Sequence, residues 1–436
     1  LYAVLPALDL VTRCARIRNL GETPVTLTKA ASLCLDISRG SWEWVHFHGR
    51  HAMERQMERR LLFHGIQEIG STRGTSSHHQ NPTVLLCTPD CTETAGACIG
   101  AALVYSGSHQ TRLECDQLGQ VRMVMGIHPD LFRWELKAGE TFSTPEVMLS
   151  YSDTGLETLS HHFHQAIREH ICRGKYQLAE RPVLINNWEA TYFGFDTEKI
   201  LHIAEEAARL GVDMLVLDDG WFGKRDDDCS GLGDWFVNET KLSGGLHDLV
   251  EKIKGMGMRF GIWFEPEMIS EDSDLYRKHP DWAIRIPDRA PMRSRYQLVL
   301  DMANPEVQEY LFRVMSDVLH SADISYVKWD MNRHSCALGA KQHEFVLGLY
   351  DVLRRIFEPR PEILLESCSS GGNRFDCGML FFSPQIWCSD NTDPVERLRI
   401  QQSLSYLYPP SCFGTHVSAS PHAQTLRATP LSTRGN

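Results

Sequence analysis

From Arg181 onward, short apolar runs alternate with stretches of helical periodicity, and this alternation restricts the possible fold more than any other feature of the sequence. The apolar runs have the length of β-strands and are rich in Val, Ile and Leu on both faces, as in strands of a buried parallel sheet. Six are evident, at residues 183–187, 212–217, 259–264, 324–329, 362–366 and 385–388. Repeated βα units predict a parallel sheet, and continued repetition predicts an α/β fold of the (β/α)8 TIM-barrel type.

Helices are predicted between these strands from residues that recur on one face. Ile200 and Ala204 mark the helix after the first strand, which is expected to end at Gly211. Asn304 followed by Pro305 has the pattern of an N-cap with proline at the first helical position. The sequence therefore contains both the strands and the crossover helices that a barrel requires.

The N-terminal part of the chain has a different pattern. Short apolar runs such as residues 83–87 and 101–105 are broken by Gly, Ser, Asn and Pro, which predicts an antiparallel β-sandwich. We expect a sandwich domain at residues 1–154, a linker helix at 155–180 and the catalytic barrel at 181–436. The sandwich is expected to be incomplete at its N-terminus and the barrel at its C-terminus.

Composition excludes several classes of function. The net charge of −12 argues against nucleic acid and anionic membrane surfaces as partners. No apolar run approaches the roughly 20 residues that span a bilayer. The 13 cysteines lack paired CxxC spacing, so we interpret them as reduced thiols of a cytoplasmic protein.

Polar residues of chemical interest follow the predicted strands, at the face where barrel enzymes build their active sites. The set combines acids, indole rings, a thiol and single cations: Asp218, Asp219, Trp263, Glu265, Glu267, Lys328, Asp330, Glu366, Cys368, Asp390 and Asp393. Neither a phosphate-binding glycine loop nor a Cys/His metal set accompanies it, so we expect no cofactor and no metal. The acidic run 226–228 has two interpretations, a hard-cation site or a solvated loop, of which the loop is favoured.

The stretch 324–333 carries the most informative spacing. Lys328, Asp330 and Asn332 are two residues apart at a strand end, and side chains so spaced point the same way. A carboxylate between a cation and an amide is held in its charged form, as a nucleophilic Asp requires, but a structural salt bridge gives the same pattern. Carboxylates can bind hydroxyl groups, a Trp can stack on the apolar face of a sugar, and two acids can transfer protons. Together these residue types favour a carbohydrate site.

Five motifs in one order resemble those of glycoside hydrolase family 36, the bacterial-type α-galactosidases. They are Asn186-Asn-Trp-Glu-Ala-Thr191, Leu217-Asp-Asp-Gly-Trp-Phe222, Gly261-Ile-Trp-Phe-Glu-Pro-Glu-Met268, Val327-Lys-Trp-Asp-Met-Asn-Arg333 and Ile386-Trp-Cys-Ser-Asp-Asn-Thr-Asp393. The resemblance runs nearly from end to end. It implies a β-supersandwich before a (β/α)8 barrel, and a chain that is truncated at both ends.

The resemblance also implies roles for individual residues. Asp330 is similar to the family's nucleophile and Asp390 to its general acid/base, which implies retaining hydrolysis through a covalent galactosyl-enzyme. The implied sugar contacts are Asp218, Asp219, Trp263, Arg295, Lys328, Asn332 and Cys368. For Arg295 and Cys368 a structural role is the alternative, and Glu265, Glu267 and Glu366 are expected to be structural.

Three departures from the family pattern affect expectations about substrate. His51 stands where relatives usually have a Trp near the leaving group, and Ser370 stands where they have Gly, beside the sugar 2-position. The segment between Arg333 and Glu344 is also shorter than in relatives. The choice of oligosaccharide is therefore expected to differ.

The leading hypothesis is a hydrolase that removes terminal α-galactose from oligosaccharides such as melibiose and raffinose. One alternative is a galactosyl transferase of the raffinose- or stachyose-forming type, and another is an inactive galactoside-binding fragment. The resemblance further implies a homo-oligomer, a tetramer, and the net charge leads us to expect neither nucleic acid nor membrane as a partner.

Overall fold

The computed structural model describes residues 1–76 and 78–434. An antiparallel region comes first, a helix follows, and a parallel sheet with its helices occupies the rest. No helix in these residues is long and apolar enough to cross a membrane.

Among the described residues, fifteen strands form the antiparallel region. Their bounds are β1 Tyr2–Leu5, β2 Leu10–Arg13, β3 Arg16–Arg18, β4 Val25–Leu27, β5 Ala31–Ile37, β6 Glu43–Arg50, β7 Met53–Leu61, β8 Gly65–Ser71, β9 Gln80–Cys87, β10 Cys98–Leu103, β11 His109–Cys115, β12 Val121–Ile127, β13 Trp134–Leu136, β14 Thr141–Ser143 and β15 Val147–Ser152. The larger sheet has seven strands in the order β1-β2-β15-β10-β9-β6-β7, and the second has four in the order β5-β12-β11-β8. Two short ribbons, β13-β4 and β14-β3, complete the region.

The centre of the larger sheet is buried on both faces, which explains the nearly continuous apolar sequence of β9. Val84 and Leu86 face a core shared with the four-stranded sheet, where Leu113 and Met123 meet them. Leu85, one position along, faces the core that continues into the parallel sheet, because successive strand side chains alternate. The sheet therefore packs against both the second sheet and the C-terminal part of the chain.

Helix α1, Leu156–Ala166, connects the two regions and continues as a π-helical turn, Ile167–Ile171. Its buried face includes Leu159 and Phe163, as the periodicity predicts. Two of its histidines are tied to protein groups, since His162 Nδ1 lies 2.8 Å from Ser150 Oγ and His164 Nε2 lies 2.6 Å from the Ser405 carbonyl.

Seven parallel strands form the second sheet, in the order in which they occur in the chain. They are β16 Leu184–Asn186, β17 Met214–Leu217, β18 Arg259–Phe264, β21 Tyr326–Trp329, β22 Leu364–Ser367, β23 Gln385–Trp387 and β24 Phe413–Gly414. A short hairpin, β19 Met268–Ile269 with β20 Leu298–Val299, is inserted after β18. Neighbouring strands joined in chain order by helices are the arrangement of a TIM-barrel-like domain, so the predicted fold class is confirmed.

The helices of the chain lie mainly around this sheet. Their bounds after α1 are α2 Trp188–Thr191, α3 Thr197–Arg209, α4 Gly245–Gly255, α5 Asp274–Lys278, α6 Pro305–Ser321, α7 Gln342–Phe357, α8 Cys377–Leu380, α9 Pro394–Ser405 and α10 Leu431–Arg434. The predicted cap of α6 is present, because the Asn304 side chain accepts from the Glu306 amide at 2.9 Å.

Candidate active site

Asp330 lies at the end of β21 and is surrounded by hydrogen-bond donors. Trp263 Nε1 and Asn332 Nδ2 donate to Oδ2 at 3.2 and 3.0 Å, and the amides of Met331 and Ser370 donate to Oδ1 at 2.8 and 3.3 Å. The carboxylate is thus held in one orientation by groups from β18 and from the segment after β22.

Asn332 is itself held in place. Its side-chain oxygen accepts from Ser370 Oγ at 2.9 Å, so its Nδ2 group is directed at Asp330. Its backbone amide donates to Glu265 Oε1 at 2.6 Å. Burial, followed by the negative charge of Asp330, raises the pKa of Glu265 to about 7. Glu265 therefore accepts a hydrogen bond that fixes the backbone two residues after Asp330.

Asp390 follows β23 and is more open to solvent, with its side chain 37% exposed. Trp387 Nε1 donates to Oδ1 at 3.1 Å, and His51 Nε2 lies 2.9 Å from Oδ2. Burial opposes ionisation of Asp390, but the His51 contact and the charge of Lys328 leave its pKa below the usual range. The two aspartates thus have different environments, one enclosed by fixed donors and one reachable from solvent.

Lys328, on β21, pairs with an acid that follows β17, two strands away in the sheet. Its Nζ lies 3.1 Å from Asp218 Oδ2, which also accepts from Asn186 at the end of β16. Burial would lower the pKa of Lys328, but Asp218 and the other nearby acids hold it well above the usual value. The Lys328 cation and the Asp218 carboxylate therefore form a buried charged pair at the same end of the sheet as Asp330.

Asp219 and Arg295 are placed differently from these residues. Arg225 donates to both carboxylate oxygens of Asp219, from Nε to Oδ1 at 3.0 Å and from Nη2 to Oδ2 at 2.9 Å. Burial raises the pKa of Asp219, although Arg225 opposes the shift. Arg295 lies in an exposed loop, with Nη2 3.7 Å from Asp228. Asp219 thus has both oxygens committed to Arg225, and Arg295 lies at the rim.

The remaining polar groups of this face are buried. Cys368 follows β22, and burial, with the charges of Asp330 and Asp390, raises its pKa well above the usual value. Glu267 makes two hydrogen bonds to Arg374, and Glu366 accepts from Gln385. These two glutamates thus have structural partners, while the Cys368 thiol is electrostatically close to both aspartates.

The acidic run after β17 is tied to cations of the protein. Asp226 lies 2.9 Å from Lys241, and Asp228 lies 3.7 Å from Arg225. Among residues 1–76 and 78–434, no group of three or more His, Cys, Asp or Glu is arranged to hold a metal ion.

Family models match both parts of the chain. The glycosyl hydrolase family 36 N-terminal domain matches residues 1–137, and the melibiase family matches residues 141–436. The chain belongs to glycoside hydrolase family 36.

Relatives of this family 36 chain are similar over its whole length. It is 53% identical to the bifunctional alpha-galactosidase/sucrose kinase AgaSK of Mediterraneibacter gnavus, over 100% of the chain and 47% of the relative. It is 47% identical to alpha-galactosidase AgaA of Geobacillus stearothermophilus, over 100% of the chain and 61% of the relative. The chain thus spans about half to three-fifths of the length of these curated relatives.

Solved structures agree with the family assignment. The galactosidase domain of AgaSK superposes with a TM-score of 0.98 over 100% of this chain and 61% of that one, at 53% identity. A variant of AgaA in complex with raffinose gives a TM-score of 0.96 over 98% of this chain and 61% of the AgaA chain, at 47% identity. Another AgaA variant was solved in complex with stachyose.

In this family 36 chain the N-terminal region also contributes side chains to the site. Glu54, on β7, is buried, and its carboxylate accepts from Ser389 Oγ, next to Asp390. His78 Nε2 lies 2.9 Å from the Ser370 carbonyl and 3.5 Å from Glu54 Oε1. The sequence reasoning identified His51 only as a departure from a pattern and missed Glu54 and His78. Nothing in the local sequence signals contacts that span about 300 positions.

Ser370 and Gly371 lie between the two aspartates. The Ser370 amide donates to Asp330, while a side chain on Gly371 would meet the Asp390 amide at 2.9 Å and Glu54 Oε1 at 2.6 Å. Gly371 has a φ of 77°, so both its conformation and its surroundings require glycine. One dipeptide therefore joins the environments of Asp330, Asp390 and the N-terminal region.

Proposed function

We propose that this chain is a retaining α-galactosidase, a glycoside hydrolase that removes terminal non-reducing α-D-galactose from oligosaccharides such as melibiose and raffinose. The observation that carries the proposal is the placing of Ser370-Gly371 between Asp330 and Asp390. Retaining glycosidases need two carboxyl groups on opposite sides of one bond, close enough for the nucleophile to reach the sugar carbon. The alpha-galactosidase names of the relatives, and their raffinose and stachyose complexes, support the substrate class.

In this proposal Asp330 is the nucleophile. Its oxygen bonds to the anomeric carbon of galactose as the bond from that carbon to the leaving-group oxygen breaks, giving a galactosyl-Asp intermediate. The donors from Trp263, Asn332 and two backbone amides support the role because they hold the Asp330 carboxylate in one orientation.

Asp390 is the proposed general acid/base. It gives a proton to the leaving oxygen in the first step and takes one from the attacking water in the second. Its partial exposure supports this role, because leaving group and water must both reach it.

The sugar itself is proposed to bind against the residues that surround these carboxylates. The charged pair of Lys328 and Asp218 is suited to hydroxyl groups, and Trp263, whose indole is 2% exposed, is the proposed apolar contact. The other proposed substrate contacts are Asp219, Arg295, Asn332 and Cys368. For Asp219 the contact would be shared with Arg225, which already occupies both of its oxygens.

The proposal also covers the domains of the chain and its cellular location. We place a sandwich domain at 1–154, a linker helix at 155–180 and a catalytic barrel at 181–436. It also includes a cytoplasmic homotetramer, and the 13 free thiols support a reducing compartment. Light scattering that returned the mass of a single 49.6 kDa chain would rule out the tetramer.

The deciding experiment compares the wild type with Asp330→Ala on an aryl α-galactoside. We expect turnover to be lost and to be partly restored by azide, which attacks the sugar in place of the missing carboxylate. Asp317→Ala, on the exposed side of α6, is the matched control and should retain activity. Unchanged turnover in Asp330→Ala would refute the assignment.

A further inference from the structure

The turn between β6 and β7 brings an imidazole from the N-terminal region to the proposed acid/base. His51 Nε2 lies 2.9 Å from Asp390 Oδ2, and Trp387 Nε1 occupies Oδ1 at 3.1 Å. Both oxygens of Asp390 therefore have a partner before any sugar binds. Only the His51 partner can hold a variable number of protons, because an indole N–H is a donor alone.

Several charged and titratable groups lie around the pair of His51 and Asp390. The groups that face it are Glu54 and His78 from the N-terminal region, Arg295 from the rim loop, Lys328 on β21 and Cys368 after β22. Burial lowers the pKa of His78 to about 3, so this ring is neutral near pH 7. Burial raises the pKa of Glu54 to about 7, which makes Glu54 the other group here that titrates near neutrality.

The pair of His51 and Asp390 holds a single proton over a wide range of pH. The hydrogen bond to Asp390 raises the pKa of His51, which burial opposes. Burial opposes ionisation of Asp390, yet His51 and Lys328 lower its pKa. Between these two values one proton belongs to the pair rather than to either residue.

We propose that His51 is a positioning residue that shares one proton with Asp390 and thereby sets the alkaline limit of the activity. The inference rests on the proposed function and deepens it. The His51 side chain is 59% exposed, so an arriving leaving group can displace the ring from Oδ2.

The proton that Asp390 gives up in the first step is replaced in the second. When the ring of His51 is displaced, it leaves as neutral imidazole and the shared proton stays on Asp390. Asp390 passes the proton to the leaving oxygen as the bond from the anomeric carbon to that oxygen breaks and the bond to Asp330 forms. Water then attacks the anomeric carbon, releases Asp330 and returns one proton to Asp390.

The first test compares the pH dependence of kcat/KM for the wild type and His51→Gln. Glutamine retains an N–H donor for Asp390 but cannot titrate. We expect the alkaline limb of His51→Gln to lie about one pH unit lower, the usual size of the effect of a close opposite charge, with similar activity near pH 5. His161→Gln, an exposed histidine on α1, is the matched control. An alkaline limb that coincides with that of the wild type overturns the inference.

The variant Glu54→Gln tests whether Glu54, the other group that titrates near neutrality, sets the alkaline limb. If Glu54 set the limb, the limb would move in Glu54→Gln and stay unchanged in His51→Gln, and that result also overturns the inference. A limb that moves to lower pH in His51→Gln supports the inference, and one that moves to higher pH overturns it.

A second readout does not depend on turnover. In protein with ¹³C-labelled histidine, the NMR titration of His51 should shift to lower pH in Asp390→Asn, because the partner charge is gone. A chain that hydrolyses no galactoside but shows this shift refutes the proposed function and supports the pairing. A His51 titration unchanged in Asp390→Asn overturns the inference even if His51→Gln fails to fold.

Discussion

Ser370 is a single residue on which the alignment of the proposed nucleophile depends. Its φ of 48° lies in the left-handed region, which costs a residue with a side chain about 1–2 kcal/mol. In return, its hydroxyl donates to Asn332, and this contact directs the Asn332 amide at Asp330. Conformational strain and alignment of the site are thus combined at one position.

The variants Ser370→Gly and Ser370→Ala should separate these two effects. Both remove the hydroxyl, and loss of a hydrogen bond worth about 1 kcal/mol should lower kcat roughly fivefold in each. Glycine alone relieves the backbone strain, so Ser370→Gly should be about 1 kcal/mol more stable than Ser370→Ala in urea unfolding. Equal stability of the two variants would contradict the strain, and wild-type kcat in both would contradict the role of the hydroxyl.

At the scale of elements, six of the seven parallel strands were predictable from sequence. Runs such as Arg259–Phe264 are long, apolar and followed by polar residues, so hydrophobic pattern and turn signals agree. The seventh strand, Phe413–Gly414, has two residues and no pattern of its own, and only pairing with β23 defines it. Short strands are set by their neighbours in the sheet, which a local reading of sequence does not contain.

The same limit applies to the site. The contact of Asn332 with Asp330 is local, because the two residues are two positions apart just after β21. The contacts of Glu54 with Ser389 and of His51 with Asp390 depend on how two regions pack, and sequence spacing carries no record of that. Residues that act across the interface between regions were therefore the ones missed.

Helix α8 provides a prediction about that interface. Its N-cap Asp376 accepts from the Met379 amide at 2.9 Å and from the hydroxyls of Ser106 and Ser76, each at 2.7 Å, both in the N-terminal region. Asp376→Ala leaves the Met379 amide and the Ser106 hydroxyl without this acceptor, and it leaves Ser76 only the Asn373 carbonyl at 3.3 Å. We therefore expect a loss of about 3 kcal/mol in urea unfolding.

Asp196→Ala is the control for capping alone. Asp196 caps α3 by accepting from the Lys199 amide at 2.9 Å, with no partner from the N-terminal region. Its removal should cost about 1 kcal/mol. Equal losses in the two variants would show that the contacts of Asp376 across the interface contribute nothing to stability.

For the whole molecule, buried titratable groups make the free energy of unfolding depend on pH in two opposite ways. Burial lowers the pKa values of five histidines to about 3 or 4: His78, His109, His334, His343 and His416. Burial raises the pKa values of Glu54 and Glu265 to about 7 and of Asp376 to about 6. Both sets titrate differently in the folded and unfolded states between about pH 4 and 7.

The signs of the two contributions differ. Below about pH 6.5 the unfolded chain protonates its histidines while the folded chain keeps these five neutral, so stability falls as pH decreases toward 4. The raised acids act oppositely, because the unfolded chain ionises them first as pH rises, and their stability is lost as pH approaches 7. The five histidines outnumber the three acids, so stability should still rise with pH through 6.5 and unfolding should require the most urea near pH 7.

His109→Gln tests the contribution of a single histidine to this profile. His109 is fully buried on β11, and its Nε2 lies 3.1 and 3.0 Å from the carbonyls of Ser76 and Gln80. Glutamine can still donate to these carbonyls but binds no proton in the unfolded chain. The dependence of unfolding free energy on pH between about 4.5 and 6 should therefore be shallower by about 1.4 kcal/mol per pH unit, the value for one proton. A slope equal to that of the wild type would mean that His109 charges in the folded chain as readily as in the unfolded one.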